Sequence, residues 1–540
     1  MRIVVFLLAC SCAVAAPKFV RPPVVSANPN PAVPLAAVLT FTADQPVSTA
    51  VAVSDGKHSW QLTYDASHRP ENGLAVIGMR PDRKHRIEVQ IRDAAGNTTA
   101  ASQFLEFTTP ALPSEEGEFP PVRITVHKPD RMEPGYTLFN PRRERADDRR
   151  FGANFGMILI VDDAGVPVWY YRTNSRITQQ TRLRDGNIAY MTQDFRIAEI
   201  DWLGNVVRQW YSARRPQGAA PDATPVDTVA FHHSLAEMPS GNIIALSIEI
   251  REIDNYYTSD TDPNAPRKRQ KVVGDEVVEF QPDGKIVWRW SALDSLDPFR
   301  IGYGTFGPYW LVRGFKDVAD WSHGNKLMYD SSDDSVLVSF RQLSAIVKIG
   351  RKNRDVKWIF ADPKGWNEAL APKLLKLDAG RWFYTQHALT TTPEGTLLIF
   401  DNANLLALPF DPPVRPRDTY SRAVEFRIDE NRKVAREVWA SEEQGEGSVL
   451  STAMGDVHWM AKTGNVLVHY GNLMAPKQRT TAGEIRDTAA GDFNAWSLIR
   501  EFRHTRTPEI VWELVLGDPS GTPRTGWNLF GGDRLASLGN

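Results

Sequence analysis

The sequence predicts an all-β chain, a six-bladed β-propeller preceded by a small fibronectin- or immunoglobulin-like β-sandwich, on three observations. The first is a repeat: an acidic, Gly- or Asn-containing turn followed by a β-rich segment closing on tryptophan, centred on Trp169, Trp210, Trp288, Trp358, Trp439 and Trp512. Fuller copies read EIDWLGNVVRQW, EFQPDGKIVWRW, KIGRKNRDVKW, EFRIDENRKVAREVW and EFRHTRTPEIVW, each a strand, a tight turn and a second strand ending in an aromatic anchor. The second is their spacing, usually roughly seventy residues, which suits a radial array because one hairpin unit cannot bury its own faces but neighbours can. The third is a change of character before the array, where strands are shorter and strictly alternating.

Taken in order, residues 1–15 carry Arg2, an apolar run from Ile3 to Ala9 and the small-residue exit Ala13-Val14-Ala15, the pattern of a secretory signal peptide. The expectation is therefore a periplasmic or secreted protein. Cleavage after Ala15 removes Cys10 and Cys12, leaving no thiol chemistry; lipoprotein anchoring at Cys10 is the alternative. No later stretch approaches the roughly twenty apolar residues of a membrane span. Residues 22–112 contain AAVLTFTA, STAVAVS, HSWQLTY and HRIEVQIRDAAGNTT, with turns at Asp55-Gly56 and Ala95-Gly96-Asn97, and read as the sandwich. Residues 113–121, rich in Pro and Glu, read as a linker, and 122–540 as the propeller. A net charge of -2 excludes a nucleic-acid partner, whose phosphates call for a basic surface. The run Arg142, Arg143, Arg145, Arg149 and Arg150 is interleaved with acids and reads as a solvated loop. The residues do not fix the oligomeric state, a homodimer being one outcome.

The chemistry lies in a second pattern. FHHSLAEMPSGNIIALS and TQHALTTTPEGTLLIFD superpose on their Pro-x-Gly turns, which puts His233 on His387, each eight residues before the turn glycine. DWSHGNKLMYDSSDDSVLVSFRQ repeats the design with a longer turn, placing His323 at the same site and Arg341 after the returning strand. Equivalent positions of inner strands converge on one axis in a propeller, so three imidazoles and a guanidinium become neighbours, with Asn325 and Thr452 at further strand ends. One register step exchanges His232 for His233 as the inward residue. Such a cluster suits either a metal held by three imidazoles or attack by an imidazole on an anionic electrophile. The nearby Arg341 disfavours a dication, so no metal is expected and the second chemistry is preferred. Tyr303, Phe306, Tyr309, Trp310, Trp382, Phe383 and Tyr384 read as gap-fillers between blades, stacking on an aryl ring being the alternative, and His458 and His504 as structural.

In FHHSLAEMPSGN, DWSHGNKL with SFRQ following, TQHALTTTPEGTLLIFDNAN and YSRAVEFRID, in that order, the chain resembles the bacterial arylsulfate sulfotransferases. The resemblance implies a cofactor-free enzyme moving a sulfuryl group from an aryl sulfate donor to a phenolic acceptor without a nucleotide sulfate. It makes His387 the nucleophile that is transiently sulfated, His233 the proton carrier, and His323, Asn325 and Arg341 the groups that grip the sulfuryl oxygens. Thr452 is a further polar contact. Ser234 departs from the family, where Asp is expected after the HH pair. A non-catalytic propeller binding a sulfated or phenolic ligand, and a metal-dependent lyase or hydrolase using the same histidines, are the alternatives.

Overall fold

The computed structural model describes residues 15–145, 155–473, 496–520 and 525–539. The expected leader, with Cys10 and Cys12, falls outside them except for Ala15, as do Arg149 and Arg150. The chain divides into a smaller unit, residues 1–112 with 538–540, and a larger one, residues 113–537.

The smaller unit holds two antiparallel sheets. One contains Phe19–Ala27, Ala37–Ala43 and Leu74–Val76; the other is built on Ser59–Tyr64, Ser48–Ser54 and Lys84–Arg92, with Thr98–Ala100 and Leu105–Thr108 at its edge. Lys84–Arg92 alternates strictly between exposed and buried side chains, as a strand with one wet face must. Leu39, Val51, Leu62, Ile87, Val89 and Ile91 form its core.

The larger unit contains, among the described residues, six antiparallel sheets of four strands, four of them with an added strand. Their innermost strands are Gly526–Leu535, Ile177–Arg182, Leu235–Glu237, Gly324–Asp330, His387–Thr391 and Asp456–Trp459. Each packs on the next and the last returns to Gly526–Leu535, so the sheets close into a ring, the propeller that the repeat predicts. Middle strands are covered on both faces by neighbouring sheets. Gly156–Val161, Ser335–Phe340 and Ala345–Gly350 are accordingly buried along their whole length.

The repeating tryptophans explain the ring. Each sits on the fourth strand of its sheet, and its indole N–H donates to a backbone carbonyl in the hairpin turn of the following sheet. Trp169 reaches Trp202 O (3.0 Å), Trp210 Pro282 O (2.9 Å), Trp288 Arg351 O (2.9 Å), Trp439 Thr505 O (3.1 Å) and Trp512 Asp163 O (2.8 Å). The last bond joins the sixth sheet to the first. Trp358 is the exception: its Nε1 is buried without a partner. Three of the acceptor turns are held by an Asp carboxylate, as where Asp201 Oδ1 accepts from Leu203 N and Asn205 N.

Closure uses both ends of the unit. Gly526–Leu535 supplies the inner strand of a sheet whose others are Tyr136–Glu144, Gly156–Val161 and Pro167–Thr173, while Val122–His127 adds to the outer edge of the sixth sheet. The stretch 113–121, expected as a linker, is fastened to this unit, since Arg143 Nη1 donates to Gly117 O (3.2 Å) and Glu118 Oε1 (2.8 Å).

Candidate functional site

The three superposed histidines stand where inner strands begin. His387 opens His387–Thr391, His323 immediately precedes Gly324–Asp330, and His233 comes just before Leu235–Glu237. His233 and His323 take left-handed backbone at φ 54° and 50°, a conformation that costs a β-branched or bulky residue and persists only where the surroundings fix it. In the fifth sheet Ala388, one residue after His387, takes it at φ 58°, beside a register shift in the strand.

The structure brings the cluster together. His233 and His323 lie with ring centroids 4.8 Å apart, and Phe530 fills the space between His233 (5.7 Å) and His387 (6.5 Å). Tyr309 stacks on His233 at 5.4 Å and meets His323 edge-on at 4.4 Å, with its hydroxyl 3.4 Å from His233. Arg341 donates its backbone N–H to His323 O at 2.9 Å, and its charge acts on His387. Asn325 Nδ2 donates to Gln386 O at 2.7 Å, tying the strand before His387 to the fourth sheet. Thr452 is also buried, but its hydroxyl is engaged with Asn472, donating to the carbonyl (3.0 Å) and accepting from Nδ2 (2.8 Å).

Hydrogen bonding fixes the tautomer of His387. Asn402 Nδ2 donates to Ser451 O (3.0 Å) and Met454 O (2.9 Å), which orients the amide so that Oδ1 accepts from His387 Nδ1 at 2.7 Å. The proton is therefore on Nδ1 and the lone pair on Nε2, which accepts from Met454 N at 3.2 Å. Burial first, and Arg341 second, push the His387 imidazole down to about 3, so it stays neutral at ordinary pH.

His232 and His233 divide the labour the sequence leaves open between them. Their Nδ1 atoms are 2.8 Å apart, and His232 Nε2 is 3.1 Å from Ser247 O. A carbonyl only accepts, so His232 carries its proton on Nε2, and His233 Nδ1 donates to His232 Nδ1, leaving His233 Nε2 as the basic atom. Asp275 Oδ1 lies 3.1 Å from His232 Nε2, at ion-pair distance but off the hydrogen-bond line. Its other oxygen accepts from Gly324 N (2.8 Å) and from the Ser322 hydroxyl. Burial, and then the neighbouring imidazoles, Arg313 and His387, hold His233 well below the usual histidine range. Ser234 turns away and accepts from Leu327 N (3.1 Å).

His323 Nδ1 pairs with Asp320 Oδ2, which also accepts from Gln342 Nε2 (3.2 Å), while Asp320 Oδ1 accepts from Trp310 Nε1 (2.8 Å). Burial raises this carboxyl, and His323 with those donors more than offsets it, leaving it below the usual carboxylate range. Two further guanidiniums belong to this end of the ring. Arg142, expected in a solvated loop, lies instead on Tyr136–Glu144 with Nη1 2.9 Å from Met454 Sδ; burial, and then Arg176, push it down to about 9. Arg313 lies 3.6 Å over the Tyr309 ring. Among the described residues no three His, Cys, Asp or Glu side chains are placed to hold a metal ion, and no helix is long and apolar enough to cross a membrane. His458 sits between Asp456 (3.2 Å) and Asp533 (3.6 Å), and His504 pairs with Glu425 (2.6 Å).

Comparison with known proteins follows the same lines. A family model described as Arylsulfotransferase (ASST) matches residues 123–507, and one described as Arylsulfotransferase Ig-like domain matches residues 24–110. A protein of Escherichia coli described as arylsulfate sulfotransferase AssT is 30% identical over 283 residues, 45% of this chain and 43% of the relative. One of the same description from Lelliottia amnigena is 32% identical over 209 residues, 31% of this chain and 34% of the relative. The matches thus span less than half the length of these curated relatives. Among solved structures, a protein of unknown function from Bacteroides caccae aligns with a TM-score of 0.39 at 10% identity, covering 74% of this chain and 98% of its own. A β-propeller domain from Myceliophteria thermophila aligns at 0.31 and 12%, covering 70% and 87%. With the one family model covering most of the larger unit and the other most of the smaller, the chain belongs to the arylsulfotransferase family.

Proposed function

We propose that the chain is an arylsulfate sulfotransferase that works through a sulfated His387, with no nucleotide sulfate donor. One observation carries the reading: His387 is neutral, buried and held in the tautomer whose Nε2 bears the lone pair. As Nε2, released from Met454 N–H, attacks the sulfur, the S–N bond forms and the bond from sulfur to the aryl oxygen breaks; the bound anionic ester offsets the burial that keeps His233 neutral in the free protein, so His233 takes up a proton with the donor and passes it to the leaving phenolate. Arg341 and His323 neutralise the sulfuryl oxygens as charge shifts. The sulfated ring keeps its Nδ1 proton and gains positive charge, which Asn402 Oδ1 stabilises through the hydrogen bond. A neutral amide does this without the proton abstraction that a carboxylate would invite, so the adduct stays a good donor. In the second half-reaction an acceptor phenol gives its proton to His233 and its oxygen takes the sulfuryl group, restoring both imidazoles. Aryl sulfate donor and phenol thus use one pocket in turn, and ping-pong kinetics follow.

The test is release of 4-nitrophenol from 4-nitrophenyl sulfate. Release that depends on added phenol, with a labelled sulfoenzyme that His387→Asn cannot form, is the expected result. Phenol-independent release makes the protein a hydrolase, and no release from the intact protein leaves a ligand-binding propeller.

A further inference from the structure

The site holds more positive charge than one sulfate ester needs. An aryl sulfate brings a single negative charge, which Arg341 answers. Arg142 and Arg313 remain, and among the described residues neither has a carboxylate partner within ion-pair distance, whereas Arg176 is paired with Glu144 (3.3 Å) and Arg143 with Glu118 (2.8 Å). Among the described residues Arg142 Nη1 has only the Met454 thioether as acceptor, a weak one, and its Nε is buried with none. Arg313 Nη1 donates to the Tyr309 carbonyl at 2.8 Å, and its guanidinium plane covers the Tyr309 ring. Burial disfavours the charged form of both, Arg176 adds to this on both and Arg313 on Arg142, while Glu144 near Arg142 and Asp320 near Arg313 offset it only in part. A half-buried guanidinium with no ionic partner is costly, and an anionic ligand relieves the cost.

Both groups border the reacting atoms. The Met454 side chain under Arg142 belongs to the residue whose N–H meets His387 Nε2, and the Tyr309 ring under Arg313 stacks on His233. A planar guanidinium fork matches carboxylate or sulfate oxygens. We propose, resting on the reading of the site as one for arylsulfates, that Arg142 and Arg313 form a second anion subsite that takes the carboxylate or second sulfate of a doubly charged aryl substrate, while its reactive sulfuryl group faces His387.

The experiment compares phenyl sulfate with 4-carboxyphenyl sulfate, both by calorimetric binding and by kcat/KM with phenol as acceptor, in the intact protein and in Arg142→Gln and Arg313→Gln. The intact protein is expected to favour the carboxylated ester by about tenfold or more at low salt, the preference shrinking as salt rises. In either variant the ratio of the two esters moves toward one, and Arg142→Lys recovers only part of it. A ratio near one in the intact protein overturns the subsite without need of any variant, and so does a preference that both variants retain. If neither ester is turned over, the transfer reading fails, yet the calorimetric preference still decides the subsite.

Discussion

Asp275 reaches two parts of the histidine cluster at once. One oxygen stands beside His232 and the other fixes the turn that carries His323, through Gly324 N and Ser322. It touches no reacting atom in the proposed reaction and is a positioning residue. Asp275→Asn puts an amide where a carboxylate accepts from Gly324 N and Ser322, and so loosens the turn that carries His323. kcat should drop by about ten- to a hundredfold, as losses of supporting partners commonly do, with KM changing less. A rise in KM as large as the fall in kcat would mean that the turn has merely come apart. The three histidines and Arg341 were legible in the sequence because repeats superpose, and a residue's place in its repeat gives its place on the ring. Asn402 lay inside a segment singled out for other residues, and nothing local marks an amide that orients an imidazole. Tyr309 was read as a gap-filler because an aromatic before a strand usually is one. Asp275 and Phe530 had no signal: one sits mid-strand, and the other arrives from the far end of the chain by ring closure.

At the scale of elements, the tryptophan repeat was legible because a period is visible in one sequence. What each indole does was not, since its acceptor lies in the next repeat. Trp210 and Trp358 offer a controlled comparison. Both are buried, but only the first donates to a carbonyl. Exchanging either for Phe loses similar packing, whereas Trp210→Phe also strands Pro282 O. It should therefore destabilise by about 1–3 kcal/mol more than Trp358→Phe in urea unfolding, and equal losses would remove the brace from the account of the ring. The added parallel strands Thr224–Val226, Val318–Asp320 and Lys376–Ala379 escaped the sequence reading. Three or four residues carry no period, and their pairing is set by loops that bring them to a sheet edge.

Across the whole molecule the buried imidazoles set a pH limit. Burial first lowers His387 and His469 to about 3 and holds His233 well below its ordinary value. Unfolded, each takes a proton near pH 6.5, so the unfolded state binds more protons as pH falls and the fold loses stability by up to about 1.4 kcal/mol per pH unit per group. His458, raised by Asp456 and Asp533 against its burial, acts in the opposite sense, adding stability below pH 6.5 that is lost as pH rises through its folded value. Three against one leaves a net loss from the histidines, which the carboxyls of Glu276, Glu442 and Glu501, raised by burial, oppose only in part. The urea midpoint followed by tryptophan fluorescence, which reports the larger unit because the smaller has only Trp60, should fall from pH 7 to pH 5. A midpoint that rises instead would mean these imidazoles are protonated in the fold.

The pairing of Gly526–Leu535 with Tyr136–Glu144 also dictates an order of events during synthesis. Tyr136–Glu144 leaves the ribosome long before its partner exists, and until then that strand presents an unpaired edge and an uncovered apolar flank to whatever it meets. The ring can close only once Gly526–Leu535 has left the ribosome, and a chain cut short before that strand is left as an open, sticky array.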